Sequence, residues 1–218
     1  GDIRLMTVTT IPTAGIADDA VGNTKLDLTE NYAFTGTITG TPQGMTFLQG
    51  QDASSSSTVT VGSSSLFSST YKIYMIQGSN IIMSGDGNNL HVRYTLSSGT
   101  KSDSYYRYVR TRMYSGSSTV SGYVSEGDAQ IPYIGESMGT SDGENGYFTM
   151  YVYNPSETSR YKTTQFISGT QDSSRSQQQN VTSGSYTANT EAIHGIYFFP
   201  NTGTITSGRF NLYGLSNA

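Results

Sequence analysis

The sequence predicts an all-β protein: a two-layer antiparallel β-sandwich, jelly-roll-like, preceded by a short Thr/Gly-rich oligomerising stalk. Three observations predict it. From Met45 onward the chain repeats β-type patterns, each bounded by Gly, Ser, Asn or Pro, and no 3.6-residue apolar stripe exceeds two turns. Residues 1–44 are dense in Thr and Gly and too poor in apolar side chains to build a core. Near the C-terminal end, 193-IHGIYFFPNTGTITSGRFNLYGL-215 sets two alternating apolar runs around a loop of Pro, Asn, Thr and Gly, which reads as a closing hairpin.

Composition narrows the function classes. The 218 residues suit one domain, or one domain and an appendage. Only 13% of residues are charged, about half the usual share, so the surface is mostly neutral and polar. A net charge of −4 gives no global attraction to nucleic acid or to anionic lipid, and neither is expected as a partner. No apolar run reaches the roughly 18 residues of a spanning helix, so no membrane insertion is expected. Without a single Cys the chain has no disulfide scaffold, thiol nucleophile or thiolate metal site, which fits folding in a reducing cytosol. The opening Gly1-Asp2-Ile3 reads as a fragment of a longer polypeptide or a processed chain.

The elements follow in order. Within the stalk, 16-IADDAVGNTKLDL-28 has room for one short helical turn, and 34-FTGTITGTPQG-44 alternates Phe34, Gly36, Ile38 and Gly40 against threonines, the pattern of a strand. Leu28, Phe34 and Ile38 have no core of their own, so residues 1–44 are expected to hold a parallel homotrimer. Nine strands are expected in residues 45–218: 45-MTFLQGQ-51, 58-TVTVG-62, 70-TYKIYMIQG-78, 89-NLHVRYTL-96, 104-SYYRYVRTRMY-114, 146-GYFTMYVYN-154, 160-RYKTTQFISG-169, 191-EAIHGIYFF-199 and 204-TITSGRFNLYGL-215. The connections 53-ASSSS-57, 85-GDGNN-89, 115-SGSST-119, 139-GTSDGENG-146 and 171-QDSSRSQQQN-180 carry turn residues and read as loops. In the last pair of strands Ile196, Phe198, Phe210 and Leu212 take the core parity, with Tyr197, Arg209, Asn211 and Tyr213 opposite. The step from Ile193 to Ile196 across Gly195 marks a β-bulge.

These residues carry a resemblance. The pattern Ile193-x-x-Ile196-x-Phe198, a Gly-containing turn, then Gly208-x-Phe210-x-Leu212-Tyr213-Gly214-Leu215 resembles the C-terminal β-sandwich of tailed-bacteriophage virion proteins, tail fibres above all. Upstream, 47-FLQGQDASSSSTVTV-61, the Tyr-rich 71-YKIYMIQGS-79 and 90-LHVRYTL-96 with its central Arg are similar to the same module, and 15–44 to the linker and collar segments before it. The resemblance implies a non-enzymatic homotrimeric fibre component without cofactors, assembled in the host cytoplasm and resident in the virion. Its N-terminal side would join other virion proteins, and its distal domain would attach to a host surface glycan or outer-membrane protein. A capsid- or neck-attached fibre or adaptor, and a glycan-degrading tailspike, stand as alternatives.

Several constellations have residue types suited to chemistry or binding. In 103-DSYYRYVRTRMY-114, alternation places Tyr106, Tyr108, Arg110, Arg112 and Tyr114 on one face, an aromatic and cationic surface suited to stacking on sugars and donating to their substituents. The same pattern serves cross-strand Tyr pairs with Arg stems laid over the rings. The amide-rich stretch 171-QDSSRSQQQNVTSGS-185, with Gln177, Gln178 and Gln179, reads as a binding loop on a rigid scaffold or as a plain surface excursion. Glu126, Asp128, Glu136, Asp142 and Glu144 permit a paired-carboxylate glycosidase and equally fit solvated loop acids. The turns 86-DGNN-89 and 141-SDGENG-146 lack the ligand pattern of a calcium loop, and His91 and His194 form no zinc motif. No GxSxG elbow is present.

Overall fold

The structure, a computed structural model, describes residues 44–140 and 143–216. The expected stalk and its trimer contact at 1–44 lie outside the described residues, apart from Gly44.

The described chain is all-β. Its strands are β1 (Met45–Ser56), β2 (Val59–Val61), β3 (Ile73–Met83), β4 (Asn88–Leu96), β5 (Gly99–Thr100), β6 (Tyr106–Tyr114), β7 (Ser117–Asp128), β8 (Ile131–Met138), β9 (Gly146–Tyr153), β10 (Lys162–Gln171), β11 (Gln177–Tyr186), β12 (Ile193–Pro200) and β13 (Ile205–Leu215). They form two antiparallel sheets that do not close into a barrel. The large sheet runs β1-β13-β3-β9-β10-β11-β6-β7, and the small one β2-β12-β4-β5, with β8 also on the free edge of β4.

The two inner faces meet over one core. Alternation along β9 sends Phe148, Met150 and Val152 inward, and β12 sends Ile196 and Phe198 to meet them from the other sheet. Phe148, Phe198 and Phe210 form a three-ring cluster with centroids 5.2–5.9 Å apart. Phe148 sits where Gly78 leaves room: a Cβ at Gly78 would lie 2.2 Å from its ring. Burial of Ile196, Phe198, Phe210 and Leu212 follows the expected parity, and the register slips between Ile193 and Gly195 as the bulge requires.

The expected closing hairpin is corrected. β12 belongs to the small sheet and β13 to the large one, so the segment is an arch that faces its two strands across the core. Gly203, at φ +70°, lets the arch turn within a few residues. β13 then inserts between β1 and β3. Three expected loops also shrink: 53–57 is mostly strand, 115–119 holds a tight turn into β7, and 171–180 keeps only 172–176 as a connection.

β8 stands apart from the regular ladders. It pairs with β4 at Asn88, Leu90 and Val92 with slips between them, and carries two left-handed residues, Tyr133 (φ 63°) and Ser137 (φ 47°). Its backbone also touches the large sheet, where Thr170 donates to the Glu136 carbonyl at 2.8 Å.

Candidate functional site

The Tyr/Arg face of β6 turns inward. Tyr106 is 0% exposed and Arg110 3%, while the opposite parity, Tyr105, Arg107, Val109, Thr111 and Met113, faces outward. Tyr106, Tyr108, Arg110, Arg112 and Tyr114 therefore share one face, but not as the open ligand surface expected of them. The physical reason is a counter-charge delivered by β8: Glu136 accepts from Arg112 at 2.9 Å and stands 3.2 Å from Arg110. The Arg110 guanidinium lies between the rings of Tyr123 and Tyr133, 4.1 Å from each centroid. A cation that is paired and sandwiched this way can be buried.

Gln177, Gln178 and Gln179 are likewise corrected from loop to strand. They open β11, between β10 and β6, with Gln178 inward and 4% exposed and its two neighbours outward. Register places Gln178 opposite Tyr114, Asn180 opposite Arg112 and Thr182 opposite Arg110, so the inner faces of β6 and β11 make one polar sector beneath Glu136. Of the expected Gln trio, only Gln178 thus joins the Tyr/Arg face inside the sandwich.

The acids are not gathered. Glu136 serves the arginines; Glu126 stands exposed on the other face of the large sheet, 3.7 Å from Arg107; Asp128 accepts from the Tyr108 hydroxyl at 3.4 Å and the Ala129 N–H at 2.7 Å. Glu144 is buried, and Asp142 lies outside the described residues. Among the described residues no three His, Cys, Asp or Glu side chains are grouped to hold a metal ion. His91 packs against Tyr133 and Phe199, and burial lowers its pKa from 6.5 to about 4, against the pull of Asp128 and with the help of Arg93.

The open surface is the outer face of the large sheet. Register lines it up in two rows, one across four strands and one across five. One runs Tyr153, Thr163, Ser185, Arg107; the next runs Tyr151, Gln165, Ser183, Val109, Val124. Val109 is 57% exposed and Val124 77%. A hollow of about 410 Å³ lies against Tyr153, Glu157, Arg160, Tyr161 and Thr163, and a second of about 430 Å³ against Arg107, Val109, Val124, Thr163, Ser183 and Ser185. Thr163 lines both, so the two hollows adjoin on this face and together mark a trough across the strands. Sequence reasoning missed these residues. The Ser/Gly alternation 182-TSGSY-186 carries no apolar period, and the pairing that completes the trough, β11 against β6, joins strands far apart in the sequence.

Comparison of the chain with family models, with curated proteins and with solved structures gives no match.

Proposed function

We propose that this chain is a non-enzymatic component of a tailed-phage virion fibre, and that its sandwich, taken as jelly-roll-like, is the distal part that attaches to the host surface. The observation that carries the reading is the trough: an unpaired, largely neutral strip of Tyr, Thr, Gln, Ser and Val on the rigid face of an eight-stranded sheet. Rigid sheets bearing exposed aromatic and hydroxyl groups bind without ordering a loop, which lowers the entropic cost of recognition. The resemblance of 193–215 and 47–61 to fibre sandwiches supports the setting, and the Thr/Gly-rich 1–44 supports a parallel homotrimer joined there to other virion proteins.

Two measurements test this. Antibody labelling of virions is expected to mark fibre tips, and purified full-length chain is expected to bind host cells and slow phage adsorption. Label on the head or neck would give the structural-fibre alternative instead. A folded chain that neither binds cells nor competes would overturn attachment.

A further inference from the structure

The trough is lined chemically as a sugar chain is. Moving across the strands, a ligand meets the Tyr153 and Tyr161 rings, the Thr163 and Ser185 hydroxyls, the Gln165 amide and the Ser183 hydroxyl, then the Val109 and Val124 side chains. Rings stand at one end and aliphatic groups at the other, with hydrogen-bonding groups between them. A protein loop covering this strip would bury each hydroxyl and amide and would need a partner for every one. A pyranose chain presents both kinds of surface in every unit: hydroxyls around the ring edge and C–H faces for stacking.

Charge narrows the class. At one end Arg107 lies beside Glu126, 3.7 Å away. At the other, Arg160 and Glu157 line the same hollow, and the Glu157 carboxylate accepts from its own backbone at Thr158 and Ser159. Lys162 also lines this hollow, but it is buried and its ammonium is committed to the Arg160 and Thr190 carbonyls. The exposed cations and anions balance, so no net field favours a polyanion. Length follows from the sheet: β9 to β7 is four strand steps, roughly 19 Å at the usual spacing.

We infer that the outer trough of the large sheet binds an uncharged oligosaccharide of about tetrasaccharide length, laid across β9, β10, β11, β6 and β7. This rests on the attachment reading above and names its ligand. The chain's own stacking groups sit at the Tyr153/Tyr161 end, and the aliphatic floor at the Val109/Val124 end.

The test is a printed array of neutral, sialylated and sulfated oligosaccharides probed with the full chain, followed by NMR titration with the best neutral tetrasaccharide and its component disaccharide. Binding to neutral chains is expected, at least tenfold weaker for the disaccharide. Ser183→Trp and Thr163→Trp, each checked for unchanged thermal unfolding, should weaken binding at least tenfold; Phe47→Ser, on the far edge strand, should leave it unchanged. Preference for the anionic glycans, or neutral binding that both trough variants leave intact, overturns the inference. If no glycan binds while the chain still blocks phage adsorption, the sugar inference falls and the attachment reading survives. Loss of both ends both.

Discussion

The backbone N–H of Tyr94, in the small sheet, donates to the phenol oxygen of Tyr106, in the large sheet, at 2.8 Å, and that phenol donates onward to the Lys101 carbonyl at 3.2 Å. Along this edge of β4, β8 pairs up to Val92 and β5 begins at Thr95. Tyr106 fills the gap between them, tying the two sheets together. Its burial holds the phenol neutral, well above the usual tyrosine range.

Tyr106→Phe is therefore expected to leave a buried N–H unsatisfied, at a cost of about 1–3 kcal/mol. Chemical denaturation measures it. Tyr153→Phe, which loses only a 3.2 Å bond to Gln165 on the exposed face, should stay within about 0.5 kcal/mol of wild type. Equal losses in the two variants would remove the special place given to Tyr106.

Glu136→Leu is expected to cost about 3–5 kcal/mol, because it strands two guanidinium groups, one fully buried. Adding Arg110→Met should recover part of that loss, since a buried pair removed together is often nearly neutral. A double-mutant cycle in urea reads the coupling. Strict additivity would show that the two side chains do not act as a pair.

Acid should act in two windows. His91 binds its proton more weakly folded than unfolded, so the unfolded state takes up more protons below pH 6.5. Stability present above that value is expected to fall as pH drops from about 6.5 to about 4. Glu191 has the opposite charge type: the Ser97 and Ser98 hydroxyls hold its carboxyl down to about 2, so its contribution is present above about 4.5 and fades towards about 2. The thermal midpoint of His91→Phe should fall less steeply than that of wild type in the upper window, and that of Glu191→Gln less steeply in the lower, where the lowered Glu157 carboxyl still contributes. Unchanged slopes in both variants would assign acid unfolding to other groups.

A chain starting at Met45 should fold, because every strand of both described sheets lies beyond that point. With residues 1–44 gone it is expected to sediment as a monomer. A trimer of undiminished strength would move the assembly contact onto the sandwich.

Strands with aromatic and branched alternation were legible in the sequence. Phe148, Met150 and Val152, or Phe210 and Leu212, disclose both their conformation and their buried side. β7, β8 and β11 were not legible: β7 has almost no buried face to give an apolar period, and β8 and β11 are satisfied by partners far along the chain. Asn180 and Thr182 occupy core parity in β11 because polar Arg110 and Arg112 lie beside them, so hydrophobic period is missing where burial is complete. β8 breaks alternation with two left-handed residues. For β6 the grouping of Tyr106 to Tyr114 on one face was correct, and of its two readings the packing of Arg over Tyr rings is the one seen, not an open ligand surface. Arginines at one parity and Val109 and Met113 at the other suggest the wrong side until Glu136 is brought over them.

The insertion of β13 between β1 and β3 makes the earliest described strand wait for the last. Among the described strands β1 pairs with β13 alone, and Met45 lies opposite Leu215 in that ladder. During synthesis that partner follows β1 only after some 150 further residues have left the ribosome. A product cut short before Ile205 would leave β1 and β3 without the neighbour they share, so the arrival of β13 is the step that closes this end of the large sheet against pairing with other half-made copies.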